Sequence, residues 1–140
     1  MQDKPTAPEL ILAVRDFLRQ ELAPALGDHR QRFRTLIAAN VLDVVARELD
    51  GEEGRLRAQW ERLVTLDHSL VACPETLDLL RADIDRRERT LCERIRDGEA
   101  DAGPARQDIL AYTRWAVAEK LRVSNPHYLE RVTGEQEGDR

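Results

Sequence analysis

The sequence is short of several things that usually reveal a protein's work. Its two cysteines, Cys73 and Cys92, suit neither a disulfide framework nor a zinc site. Cys92 falls on an apolar helix face and reads as a small hydrophobe. No apolar run approaches the ~20 residues of a membrane span, so no membrane association is expected. The opening "MQDKPTAPEL" lacks the basic and apolar regions of a signal peptide, so a cytoplasmic location and reduced thiols are expected. Lysine is scarce: only Lys4 and Lys120 occur, and every other basic side chain is arginine. With a net charge of −5 and no basic stripe, nucleic acid is a poor candidate partner. A Gly-rich phosphate loop, a His-Glu-x-x-His pair and the paired Glu-x-x-His motifs of diiron bundles are all absent. No catalytic residue, metal site or cofactor is therefore expected. Asp67-His68-Ser69 holds the residue types of a triad, but neighbours on one segment cannot face one another as a triad requires.

What remains is charge and helical period. Hydrophobic residues make up 41% of the 140 and charged residues 35%, which fits a folded domain with a busy surface. No stretch alternates as a strand would. Thr6 and Glu9 form a capping box ahead of Leu10, Ile11, Val14, Phe17, Leu18 and Leu22, and Pro24 with Gly27 ends that helix. Asp28 caps a second helix whose stripe is Phe33, Leu36, Ile37, Val41, Val44 and Val45, with Gly51 as its stop. A third starts near Glu53, with Leu56, Trp60, Leu63 and Val64 on one face. A fourth starts near Pro74 and carries a narrow seam, Leu77, Leu80, Ile84, Leu91 and Ile95, before Gly98. A fifth starts near Pro104, with Ile109, Leu110, Ala116, Val117 and Leu121 on one side, and ends before Asn125-Pro126. These features predict an all-α, single-domain bundle of about five helices over residues 1–131, followed by a disordered polar tail over 132–140.

The charge run "RADIDRRERTLCERIRD" reads as a solvated helix face with i,i+4 pairs. Polar residues inside apolar stripes are more informative. Asn40 lies mid-stripe on the second helix, where burial without partners would cost ~1–3 kcal/mol. Glu21 and Lys120 interrupt the first and fifth stripes, with Thr113 two turns before Lys120. Each polar group either snorkels to solvent or serves structure, or the four converge as a candidate polar cluster of Glu21, Asn40, Thr113 and Lys120. Tyr112 and Trp115 fall off the fifth helix's main stripe. They either cover the core edge or, with Asn125 and Tyr128, form a candidate partner surface.

In this order, "DKPTAPELILAVRDFL", "FRTLIAANVLDVVARELDGEEG", "LCERIRDGEAD" and "EKLRVSNPHY" resemble a small bacterial family of uncharacterised all-helical proteins, over roughly residues 3–128. The third helix matches least well. Members are typically encoded beside aminoglycoside-phosphotransferase-like kinases, which phosphorylate hydroxyacyl-CoA substrates, and beside acyl-CoA dehydrogenases. The resemblance implies a non-catalytic accessory or regulatory subunit with a kinase-like protein partner, and it carries over no catalytic residue. Two alternatives stand beside it. One is a small-molecule module or weak enzyme with an inter-helix pocket near Asn40, Lys120 and Tyr128, conceivably for acyl-CoA. The other is a structural homodimer paired through the fourth-helix seam.

Overall fold

The computed structural model describes residues 4–137, with side chains described through residue 134. Among these residues the chain is all α and contains no strand. Its contacts gather into two compact units, one through Glu52 and one from Glu53.

The first unit begins with α1 (Ala7–Asp16), entered through the Thr6 capping box. A π-helical stretch (Phe17–Leu22) continues it, and α2 (Ala23–Ala25) closes it. The widened turns lie just upstream of Pro24, which has no N–H to donate and whose ring crowds the carbonyl one turn back. The Ala23 N–H bonds the Leu18 carbonyl five residues behind it, which is the π pattern. Next comes α3 (His29–Leu49), capped by the Asp28 carboxylate on the Gln31 N–H at 3.0 Å.

The face that α3 buries is not the one its large residues suggest. Its buried side chains are Ala39, 0% exposed, and Ala46, with Thr35, Leu42 and Asp43 half-buried beside them. Small side chains let α1 and α3 approach closely. Asp43 fixes the pair, accepting from Arg15 at 2.6 Å and Arg19 at 3.0 Å. The predicted core stripe instead faces solvent: Phe33 is 58% exposed, Ile37 48% and Val41 53%. Leu10 and Val14 of α1 and Phe17 of the π-helical stretch are likewise about half exposed.

The second unit is built from α4 (Glu52–Leu66), α5 (Leu77–Arg96), α6 (Ala105–Ser124) and α7 (Pro126–Glu137). Its core joins Trp60, Leu63 and Leu66 of α4, Leu80, Ile84 and Leu91 of α5, and Ile109 and Tyr112 of α6. The seam expected to meet a symmetry mate is therefore filled by the chain's own side chains. Thr76, rather than the residues around Pro74, caps α5 by accepting from the Leu79 N–H. Asn125 does end α6, donating its N–H to the Leu121 carbonyl at 2.8 Å. It also starts α7: its side-chain oxygen accepts from the Tyr128 N–H at 3.2 Å, with Pro126 at the first helical position. Helix thus continues to Glu137, across the boundary that the sequence had placed at residue 131. Residues 138–140 of the expected tail lie outside the described residues. No helix among the described residues is long and apolar enough to cross a membrane.

Candidate functional site

The densest polar construction lies in the second unit, where α4 ends against α5. The α4 C-terminus turns at His68, which adopts a left-handed φ of 53°, and the Ser69 N–H then bonds back to the Val64 carbonyl at 3.1 Å. Glycine usually holds that place, because a Cβ there is crowded. The turn projects Asp67 and Ser69 toward α5. On α5, Arg87 occupies a place between Ile84 and Leu91 and is 5% exposed. A guanidinium there needs partners for its donors, and Nε and Nη1 have them. Its Nε donates to Asp83 Oδ2 at 2.9 Å, and Nη1 donates to Asp67 Oδ2 at 2.9 Å and Ser69 Oγ at 3.3 Å. Trp60 Nε1 donates to Asp83 at 2.8 Å, and Arg86 also bonds the same carboxylate. Arg94 completes the network, reaching Asp67 at 3.1 Å and Glu99 at 2.8 Å.

The electrostatics follow from this geometry. Burial alone would push the Asp83 carboxyl up, but the hydrogen bonds from Arg87, Trp60 and Arg86 outweigh it and hold the group at about 2. Burial would weaken the Arg87 charge, and the Asp83 and Asp67 carboxylates restore it and raise its pKa. Asp83 is thus held as an anion with its oxygens engaged, so it is not poised to take a proton at neutral pH. The network fastens the end of α4 to the middle of α5. Beside it opens a shallow cleft of about 520 Å³, bordered by His68, Ser69, Arg86, Thr90 and Arg94.

A smaller polar group surrounds Tyr112. Its hydroxyl donates to Glu88 Oε1 at 3.0 Å, and Gln59 Nε2 donates to the same oxygen at 2.8 Å. Burial pushes the Tyr112 phenol up, so it stays protonated.

The residues singled out from sequence fall differently. Glu21 and Asn40 belong to the first unit and Thr113 and Lys120 to the second, and all four are exposed. Asn40 does lie mid-stripe as expected, but the stripe itself faces out. Thr113 donates to the Ile109 carbonyl of its own helix at 2.8 Å. Of the expected partner surface, Tyr112 is 7% exposed and belongs to the core, since its ring buries more apolar area there than Val117 would. Trp115 is half-buried, 6.1 Å from the Tyr112 ring, with the Arg62 guanidinium 4.5 Å above it. Asn125 is an exposed cap and Tyr128 is exposed. Neither Lys120 nor Tyr128 borders the cleft at His68.

The network itself escaped sequence reasoning. Asp83 and Arg87 read as an i,i+4 pair on a solvated face, yet they lie inward. A signal was present: Arg87 interrupts the Leu80, Ile84, Leu91 seam as Asn40 interrupts its own stripe. Asp67 and Ser69 look like triad residues and instead bind one arginine.

A family model described as "Domain of unknown function (DUF6285)" matches residues 24–128, about three quarters of the chain. No curated protein and no solved structure matches it.

Proposed function

The chain belongs to the family described as Domain of unknown function (DUF6285), and we propose that it serves as a non-catalytic accessory or regulatory subunit in the cytoplasm. The observation that carries this reading is the outward apolar face of the first unit, with Phe33, Ile37 and Val41 about half exposed. Exposed apolar strips of this kind mark protein contacts. In the second unit, by contrast, the strongest charged groups are spent on one another in the Asp67–Arg87–Asp83 network. The partner is a kinase of the aminoglycoside-phosphotransferase type acting on hydroxyacyl-CoA, a choice that rests on the resemblance alone. The test is co-purification from a native host and assay of that kinase with and without this chain. A change in kinase rate or substrate preference supports the reading, and identical kinetics with no association overturns it.

One observation favours a second reading, a module for a small anionic ligand such as an acyl-CoA. Arg86 and Arg94 border the cleft at His68 and carry donors suited to phosphate. Calorimetric titration with coenzyme A, on the wild type and on Arg86→Ala, decides it. Binding that weakens in the variant supports it, and no heat of binding removes it.

A further inference from the structure

The helix α3 is self-complementary when laid antiparallel on a second copy of itself, and we infer that the protein is a homodimer built on this face. Three independent features lead there. The first is the apolar strip. Phe33, Leu36, Ile37, Val41, Val45 and Leu49 are each between 38% and 58% exposed. Together they present on the order of 500 Å² of apolar surface, and the exposed Arg30, Arg34, Asn40 and Glu48 widen the strip toward the roughly 800 Å² per partner of a standard interface.

The second feature is charge. Residues 28–34 hold three arginines and one aspartate, a net +2, while residues 47–52 hold three acids and one arginine, a net −2. This runs against the helix dipole, which disfavours cations at an N-terminus and anions at a C-terminus. Among the described residues, Arg30, Arg32 and Arg34 have no ion-pair partner. An antiparallel copy brings the acidic end of one α3 to the basic end of the other. Glu48 has a contact within its own chain, and the pair across the dimer adds to it.

The third feature is spacing. With a two-fold axis level with Ala39, residues whose numbers add to 78 stand opposite each other. Ile37 meets the partner's Val41, Phe33 meets the partner's Val45, and Arg30 meets the partner's Glu48. Arg30 and Glu48 lie about five turns apart and so share one line along the helix, which is also the line of the apolar strip. Asn40 sits beside the axis, near the partner's Asn40. A polar pair bordering an apolar seam favours this register over a shifted one. This assigns Asn40 a purpose that its exposure in a lone chain leaves unexplained.

The test is sedimentation equilibrium of the full chain over a wide concentration range, with helicity followed by circular dichroism. The wild type is expected at twice the 16.0 kDa chain mass. Ile37→Glu is expected at one chain mass with its helicity kept. Arg30→Glu or Glu48→Arg alone is expected to weaken the dimer about tenfold, because symmetry removes the pair twice. The double reversal Arg30→Glu/Glu48→Arg is expected to restore it. Both reversals are at surface positions, so they read the interface even if Ile37→Glu misfolds. A monomer at all concentrations overturns the inference. So does a dimer that survives both single reversals, or one that the double reversal fails to rescue, as in a parallel pairing. The accessory reading claims the same strip, and the two tests part them: a monomer that co-purifies with the kinase and loses it in Ile37→Glu keeps that reading and overturns the dimer, whereas a dimer with no effect on the kinase does the reverse.

Discussion

Arg87 shows what a single side chain can decide in this fold. Its guanidinium lies 6.0 Å from the Trp60 ring on a helix whose neighbouring Ile84 and Leu91 are buried, and is tolerable there only because Asp67 and Asp83 take its donors. Arg87→Met keeps the apolar volume but leaves two carboxylates facing each other across the gap. Chemical denaturation is expected to show a loss of about 2–4 kcal/mol, the scale of breaking a buried pair by removing one partner. Acid should act on the same network. The Asp83 carboxyl sits at about 2 when folded, against 3.8 unperturbed. A depressed carboxyl adds stability above its unfolded value and loses it as pH falls through the folded one. The gain should therefore be complete above about pH 5 and vanish between about pH 4 and 2. Its size is on the order of 1–2 kcal/mol, after discounting for a group that water still reaches. Denaturation midpoints should fall more steeply over that window in the wild type than in Asp83→Asn, and parallel declines would remove Asp83 as the cause.

At the scale of elements, caps and breakers were easy to read and faces were not. Thr6, Asp28, Gly51 and Gly98 act through backbone geometry within a few residues, so their effect is visible without knowing what packs nearby. Faces depend on neighbours. The large aliphatics of α3 mark the strongest stripe, but α1 packs against the small side instead, because Ala39 and Ala46 permit a close approach and Asp43 meets two arginines there. In α6 the inward face passes through Tyr112 rather than Val117, since Glu88 and Gln59 wait on the other side to satisfy the hydroxyl. Asn125 was half read. The same residue closes α6 and opens α7, and only the first role follows from a residue standing before proline. Removing its side chain in Asn125→Ala should cost α7 about 1 kcal/mol of local stability. Amide exchange over residues 126–134 should then speed up about fivefold while the α4 and α5 amides hold steady. Uniform acceleration would show that α7 has no separate stability.

For the whole molecule, the all-α class was legible because periodicity, capping and the lack of alternation agree. The candidate site was not, because it joins the end of one helix to the middle of another, and no local pattern encodes that meeting. The proposed dimer belongs to this scale as well, and so does a consequence of the close contact between α1 and α3. Ala39 has no free surface, so one added methylene there would have to push a whole helix aside. Phe33, Ile37 and Val41, on the outward strip, need only remain apolar and of similar bulk. In a complete substitution library of α3, tolerance among the apolar positions should therefore rise with the size of the native side chain. The positions that accept the fewest replacements would be the two alanines, while the bulky residues that draw the eye in the sequence would accept other apolar side chains of similar size.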